Sequence, residues 1–364
     1  MNFYLPTNIF YGKTALSEAA QLINSIGRKA LIVTGRNSAK KSGALDATIE
    51  LLNQQGIAYV IFSEIEENPT LVSVEKGAYI CRDNACDFLI GIGGGSPIDA
   101  AKGIAVVVGS ELDIDSIYNP LEFTKALPII AIPTTSGTGT EATQYSVLTD
   151  TQKLKKAGFG STLVFPKLSI LNPEFTYSLP QSVTINTAID ALSHLLEGLF
   201  SKNRNPLTYP FIFKGIGLII DNLDKAVKEP LNYSYRDALM QASLYGGIVI
   251  AHSGTTLQHS IGYPLTTKFA TPHGLANGIV MKEILKLYYP AIKLEIDNLL
   301  AYLSLTLEDF FSWLDSFDLT LKQELDEDLI NYMSDKVMET RNMALNPISV
   351  SLEDVKKLYR KISL

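Results

Sequence analysis

The first half of the chain alternates between two hydrophobic rhythms. Short apolar runs at 29–34, 57–62, 87–93 and 127–132 carry few polar interruptions, the pattern of strands buried on both faces. Between them, 45–55, 72–81 and 97–108 repeat apolar residues at helical spacing, and the first of these stops at Gly56. Strands alternating with helices predict a parallel α/β sheet. Beyond about residue 180 the rhythm changes. Segments 183–200, 210–227, 235–262 and 276–288 read as long helices, and strand-like runs cease. The expected organisation is an α/β domain with a parallel sheet over residues 1–178 and an all-α domain over 179–364. The boundary falls in the turn-like stretch from Pro173 to Pro180.

Composition narrows the function classes. The 364 residues carry 31 Lys and Arg against 38 Asp and Glu, a net charge of −7. Phosphate neutralisation needs a basic face, so a nucleic-acid partner is not expected. No apolar run approaches the roughly 18–20 residues that cross a bilayer, and the opening Met-Asn-Phe-Tyr-Leu-Pro-Thr lacks the basic and apolar regions of a signal peptide. A cytoplasmic protein with no membrane partner is expected. Cys81 and Cys86 are the only cysteines, too few for a four-thiolate zinc site and expected to be reduced.

Two loops suit a phosphate-bearing ligand. Gly93-Gly94-Gly95-Ser96 follows a strand and opens a helix, where glycines let a phosphate approach the backbone and the helix start offers unpaired N–H groups. Ser96 is expected to cap that helix, Pro97 to sit in its first turn, and Asp99 to complete the cap. The stretch matches neither the dinucleotide fingerprint nor the P-loop. A second loop, Thr134 to Glu141, places hydroxyls and glycines after the next strand. The first strand ends in Gly35-Arg36-Asn37-Ser38-Ala39-Lys40-Lys41. A ribose 2′-hydroxyl usually meets a carboxylate there, and a 2′-phosphate meets basic groups. This strand end favours NADP(H) over NAD(H).

All four histidines, His194, His252, His259 and His273, fall in the helical half. Asp190 and His194 are four apart in an apolar stretch, so they share one helical face. A buried aspartate there needs a partner, and a divalent cation is a good one. Pro272-His273-Gly274 precedes another helix and can aim an imidazole inward. One carboxylate and three imidazoles, Asp190, His194, His259 and His273, make a mixed site for Fe2+, Zn2+, Mn2+ or Co2+. With one carboxylate, a divalent ion would keep about one positive charge. His252 precedes His259 by seven residues, two turns away along one helix, and is expected to support the site or the structure.

These residues together resemble the iron-containing (group III) alcohol dehydrogenases. The resemblance runs through nearly the whole chain. It rests on Gly93 to Ser96 with Asp99 and Lys102, on the 134–141 stretch, on Asp190 with His194, and on His259 with Pro272-His273-Gly274. It implies an N-terminal nucleotide-binding domain, a C-terminal catalytic domain holding Fe2+ (or Zn2+) through Asp190, His194, His259 and His273, and a cleft between them. It further implies dinucleotide contacts at Gly94, Gly95, Ser96, Asp99, Thr134, Thr135, Thr138 and Lys155, with Asn68 near the adenosine end. Gly35, where NAD-preferring relatives often carry an aspartate, together with Ser38, points to NADP(H). Several relatives carry a histidine four residues after His259. This chain has Tyr263, which with His252 is a candidate for the proton route. The implied reaction moves a hydride between a nicotinamide and a small primary alcohol, diol or aldehyde, in a homo-oligomer of two or more chains. The alternatives are a relative of glycerol dehydrogenase or dehydroquinate synthase, and a non-catalytic nucleotide-binding relative.

Overall fold

The computed structural model describes residues 2–153 and 155–363, with Lys155 described in its backbone alone. They form two compact units. One comprises Tyr4–Pro180 and Glu229–Met240. The other comprises Gln181–Lys228 and Gln241–Leu364 with the first three residues.

The first unit is built on strands β1 (Asn8–Tyr11), β2 (Lys29–Gly35), β3 (Ala58–Ile65), β4 (Phe88–Gly93), β5 (Ile129–Pro133), β6 (Tyr145–Asp150), β7 (Lys155–Gly160) and β8 (Leu168–Leu171). Six of them make one parallel sheet in the order β1, β8, β5, β4, β2, β3. The four apolar runs of the sequence are β2 to β5. For β2, β4 and β5 this unbroken hydrophobicity has a direct cause, because they are covered on both faces, while the edge strand β3 is largely exposed. Leu31, Val33 and Leu89 pack with Val74, Ala78 and Ile104 on one side. Ala30, Ile32 and Ile90 pack with Ala19, Ile23 and Leu52 on the other. The strands β1 and β8 have four residues each, and β6 with β7 form a separate antiparallel ribbon. The first two are too short to stand out from loop, and the ribbon strands lack the unbroken apolar run of β4 and β5.

The strand order places the candidate loops. From β2 the chain steps outward to β3, then returns so that β4 lies on the other side of β2. The reversal opens a crevice at the carboxyl ends of β2 and β4, where open α/β sheets bind ligands. Thr34 pairs with Ile92 at this end, so the loops after Gly35 and Gly93 emerge side by side.

The second unit is helical among its described residues. Its long members include Gln181–Phe200, Tyr209–Lys228, Leu257–Phe269 and His273–Tyr288, with the later part of Tyr233–Ser253. One expectation fails here. The single helix over 235–262 is two helices, broken between Ser253 and Leu257. Gly254 has φ +66°, the left-handed conformation that ends a helix. His252 and His259 therefore do not share a helix. No helix of the described residues is long and apolar enough to cross a membrane.

Candidate metal centre and nucleotide loops

Three helices bring the ionisable residues of the second unit together. On Gln181–Phe200, Asp190, His194 and Glu197 fall at positions i, i+4 and i+7, one stripe of a stretch that is buried from Ala188 onward. His259 lies in the first turn of Leu257–Phe269, and His273 opens His273–Tyr288 behind Pro272. The donor atoms of Asp190, His259 and His273 all lie within 4.8 Å of one another. Asp190 Oδ1 is 3.8 Å from both His259 Nε2 and His273 Nε2. His194 joins through His259, their Nε2 atoms 3.1 Å apart. These separations bracket the edge of about 3.4 Å that a tetrahedron has when its metal–ligand bonds are about 2.1 Å. Asp190, His259 and His273 thus form a group that could hold one ion, with His194 beside His259.

Two further residues belong to this cluster, and sequence reasoning passed over both. Glu197 is fully buried. Its Oε2 accepts from His259 Nδ1, and its Oε1 accepts from Thr256 N at 2.7 Å, Thr256 Oγ1 at 2.8 Å and His259 N at 3.3 Å. An imidazole that donates from Nδ1 presents its Nε2 lone pair to the cluster. Asn277, also fully buried, directs Nδ2 at Asp190 Oδ1 (3.0 Å), with His259 Nε2 at 3.1 Å and His273 Nε2 at 3.5 Å. The signal was available: Glu197 continues the Asp190 and His194 stripe by one turn, and Asn277 is four residues after His273.

Burial alone would raise both carboxyls. At Asp190 the neighbouring His194, His273 and His259 and the bond from Asn277 outweigh it and hold the group below its usual range. At Glu197 the charge and hydrogen bond of His259, with the bonds from Thr256, do the same. The cluster therefore carries two carboxylates, not the one counted from sequence. Asp190 belongs to the candidate ligand group, whereas Glu197 meets the far nitrogen of His259.

The two candidate proton groups separate. The Tyr263 ring stacks on His273, with centroids 5.8 Å apart and planes at 6°, and meets His259 edge-on at 6.3 Å. His252 lies outside the cluster. Its Nδ1 is 2.7 Å from Ile248 O and its ring stacks on Phe3 at 4.5 Å. The helix break at Gly254 accounts for this.

In the first unit, the helix after β4 begins two residues earlier than expected, at Gly95 with Gly94 before it. Ser96 does not cap it. Its Oγ instead accepts from Asn68 N at 3.2 Å, and Asn68 Oδ1 accepts from Lys156 Nζ at 2.7 Å. Asp99 does not cap it either. Oδ1 accepts from Thr140 Oγ1 at 2.6 Å and Oδ2 from Val147 N at 3.0 Å. Asp99 thus ties the helix to the chain beyond the second loop, and its carboxylate is engaged there rather than presented to a ligand. Thr135 and Thr138 lie against the first loop: a Cβ built on Gly94 would be 3.3 Å from Thr135 Cγ2, and one on Gly95 would be 2.8 Å from Thr138 Cγ2. Thr134 N donates to Gly93 O at 2.8 Å. The side chain of Lys155 lies outside the described residues. At the end of β2, Gly35 is followed by Ser38, Lys40 and Lys41 on the surface.

Glu141, beside the second loop, is 2 % exposed, and burial pushes its carboxyl up to about 7 against the pull of Lys102. The folded state then holds a proton that the unfolded state releases near pH 4.5, so this group's contribution to stability is lost as pH rises from about 4.5 to 7. Glu141→Gln should therefore gain stability over the parent at pH 8 relative to pH 5, on the order of 1–3 kcal/mol. Unfolding midpoints of both proteins at the two pH values test this. A difference that does not widen toward pH 8 contradicts it.

Comparison with known proteins agrees with this arrangement. Residues 6–173 match the iron-containing alcohol dehydrogenase family, and residues 184–363 match the C-terminal domain of the same family. The chain belongs to the iron-containing alcohol dehydrogenase family. Among curated relatives, a 1,3-propanediol dehydrogenase of Klebsiella pneumoniae is 35% identical over 77% of this chain and 74% of its own length. An NADPH-dependent butanol dehydrogenase of Clostridium saccharobutylicum is 32% identical over 79% of this chain and 74% of its own. An iron-containing alcohol dehydrogenase of Thermotoga maritima superposes with a TM-score of 0.94 at 34% identity, covering 100% of this chain and 99% of that one. As an iron-type alcohol dehydrogenase this chain is an NAD(P)-dependent oxidoreductase that uses a metal and acts on small substrates. Relatives named for NAD or NADH stand beside those named for NADPH, so membership leaves the choice of dinucleotide open.

Proposed function

We propose that this enzyme interconverts a small primary alcohol or diol and its aldehyde with NADP(H), using Fe2+ held by Asp190, His194, His259 and His273. In this reading residues 1–178 hold the dinucleotide and residues 179–364 hold the metal. The gathering of donor atoms from Asp190, His259 and His273 within 4.8 Å of one another, with His194 Nε2 3.1 Å from His259 Nε2, carries it. Zn2+ suits the same donors. The family resemblance supports a homo-oligomer of two or more chains, and two reduced cysteines suit the cytoplasmic location proposed for it.

When bound, the ion supplies Lewis acidity toward an alcohol or carbonyl oxygen, and the dinucleotide gives or takes the hydride. The chain's own residues prepare the site. Glu197 fixes the His259 tautomer and ring plane. Asn277 holds Asp190 by one oxygen. Tyr263 packs flat on the His273 ring, so we assign to Tyr263, and not to His252, the side-chain role beside the ligands. On the dinucleotide side, Gly94, Gly95 and Ser96 open a 15-residue helix whose N–H groups suit a pyrophosphate. Thr134, Thr135 and Thr138 line the neighbouring loop, and Asn68 is bonded to Ser96. Gly35 and Ser38, with Lys40 and Lys41 and no carboxylate from 35 to 41, favour a 2′-phosphate.

The test is oxidation of NADPH with butanal by chelator-stripped protein, before and after adding Fe2+ anaerobically or Zn2+. Restored turnover is expected, with kcat/KM for NADPH at least tenfold that for NADH. Equal or better kcat/KM with NADH removes the reading of Gly35. Turnover confined to glycerol moves the enzyme to the glycerol-dehydrogenase alternative. Bound metal and NADPH without turnover on alcohols or aldehydes overturns the reading.

A further inference from the structure

The helix Gly95–Gly109 carries a lysine in its most buried stretch. Lys102 is 0 % exposed, and its ammonium sits in a ring of five oxygens. Thr140 O lies at 2.7 Å, Thr140 Oγ1 at 2.8 Å, Thr143 O at 3.0 Å, Thr143 Oγ1 at 3.2 Å and Tyr145 O at 2.7 Å. An ammonium has three N–H donors, so five oxygens at these distances surround it as they would a bare monovalent cation. Four belong to Thr140 and Thr143, and three are main-chain carbonyls. The cation gathers the 140–145 backbone around the tip of one side chain. Thr140 Oγ1 passes its own hydrogen to Asp99 Oδ1 at 2.6 Å, and Ser146 Oγ donates to Asp99 O at 2.9 Å. Asp99 and Lys102 thus fasten the segment that follows the hydroxyl loop to the helix that opens at the glycine loop.

We infer that Lys102 is a tethered monovalent cation that positions the 134–141 loop for the dinucleotide. The inference rests on reading these two loops as the dinucleotide's holders. Lys102 is a positioning residue: its ammonium is spent on oxygens of Thr140, within the loop, and of Thr143 and Tyr145 just after it. Without it, three carbonyls converge with no positive charge between them, and the segment must rearrange. Thr135 and Thr138, which touch Gly94 and Gly95, move with it.

The test uses full-length protein and NADPH fluorescence. Lys102→Met keeps the length of the stem and removes the charge. It is expected to raise the NADPH dissociation constant at least tenfold and to speed amide hydrogen exchange across 134–147, with the affinity for Co2+ unchanged. Lys102→Ala opens a channel for the missing atoms. Propylammonium at tens of millimolar should recover at least threefold of its NADPH affinity, while tetramethylammonium at equal concentration should not. Lys102→Met should not respond to propylammonium. Should Lys102→Ala fail to fold, Thr143→Val, which removes one oxygen of the ring, is expected to shift NADPH binding about threefold in the same direction. A Lys102→Met protein with a lowered unfolding midpoint but parental NADPH affinity and parental exchange at 134–147 overturns the inference and leaves Lys102 merely structural. Parent protein that binds neither NADPH nor NADH overturns the functional reading instead, and the exchange measurement still decides whether Lys102 fastens the segment.

Discussion

His259→Ala is expected to lose at least nine-tenths of its metal after gel filtration and to fall more than a thousandfold in turnover. His259 is the hub of the cluster, with Nε2 3.1 Å from His194, 3.8 Å from Asp190 and 3.1 Å from Asn277. Its Nδ1 also satisfies Glu197. Alanine removes a donor and at once leaves the buried Glu197 Oε2 without its partner, which is costly even though Oε1 keeps its bonds. His259→Gln separates the two effects, because it keeps bulk and a polar tip. Glu197→Gln should be milder. The imidazole remains but its tautomer and basicity are no longer set, which typically lowers metal affinity 10–100-fold. Metal content by elemental analysis and the dissociation constant for Co2+ rank the three variants. Full activity with bound metal in His259→Ala would sink the assignment.

Gly274→Ala is expected to unfold the metal site outright. At an ordinary helical position this change is favourable by about 0.8–1.0 kcal/mol. Here the added Cβ would lie 1.7 Å from Asn186 O, 2.6 Å from Asn186 C and 3.1 Å from Asp190 Cβ. The first two atoms are backbone of the helix that carries Asp190, so no side chain can turn aside. Overpacking typically costs 1–3 kcal/mol. With backbone on both sides we expect about 3–5 kcal/mol, which outweighs the propensity gain and is a large share of an ordinary stability of about 5–15 kcal/mol. Relief requires the His273 helix to back away from Asp190, so metal should be lost with stability. The unfolding midpoint and metal content of Gly274→Ala check both. Parental values for each would show that the helices do not meet this closely.

The histidines and Asp190 were legible from sequence because helical spacing is a local rule. Asp190 and His194 had to share a face once their segment was helical, and Pro272 before His273 marked a helix start. Glu197 and Asn277 were equally well placed on those faces, yet their value lies in partners 62 and 87 positions away, which no local rule reports. The parallel sheet was legible for a similar reason: β2, β4 and β5 are apolar on both faces. The ribbon of β6 and β7 was not, since its strands alternate or carry glycine and lysine. Asp99 was misjudged because a carboxylate three residues after Ser96 fits the local capping pattern. The competing claim came from Thr140 and Val147, brought near by the sheet order.

The break after Ser253 has a further consequence. The helix Leu257–Phe269 opens at Thr256 with no side-chain cap of its own. The N–H groups of Thr256 and His259 turn to Glu197 Oε1, and that of Leu257 turns to Asn346 Oδ1. A carboxylate at a helix start also meets the positive end of the macrodipole, worth about 0.3–1 kcal/mol and up to about 2 when partly buried. One residue of another helix therefore does two jobs: it decides where the His259 helix begins, and it orients the imidazole that the helix carries. One oxygen of the carboxylate serves the helix start and the other the ring, so a shift of this one side chain disturbs both.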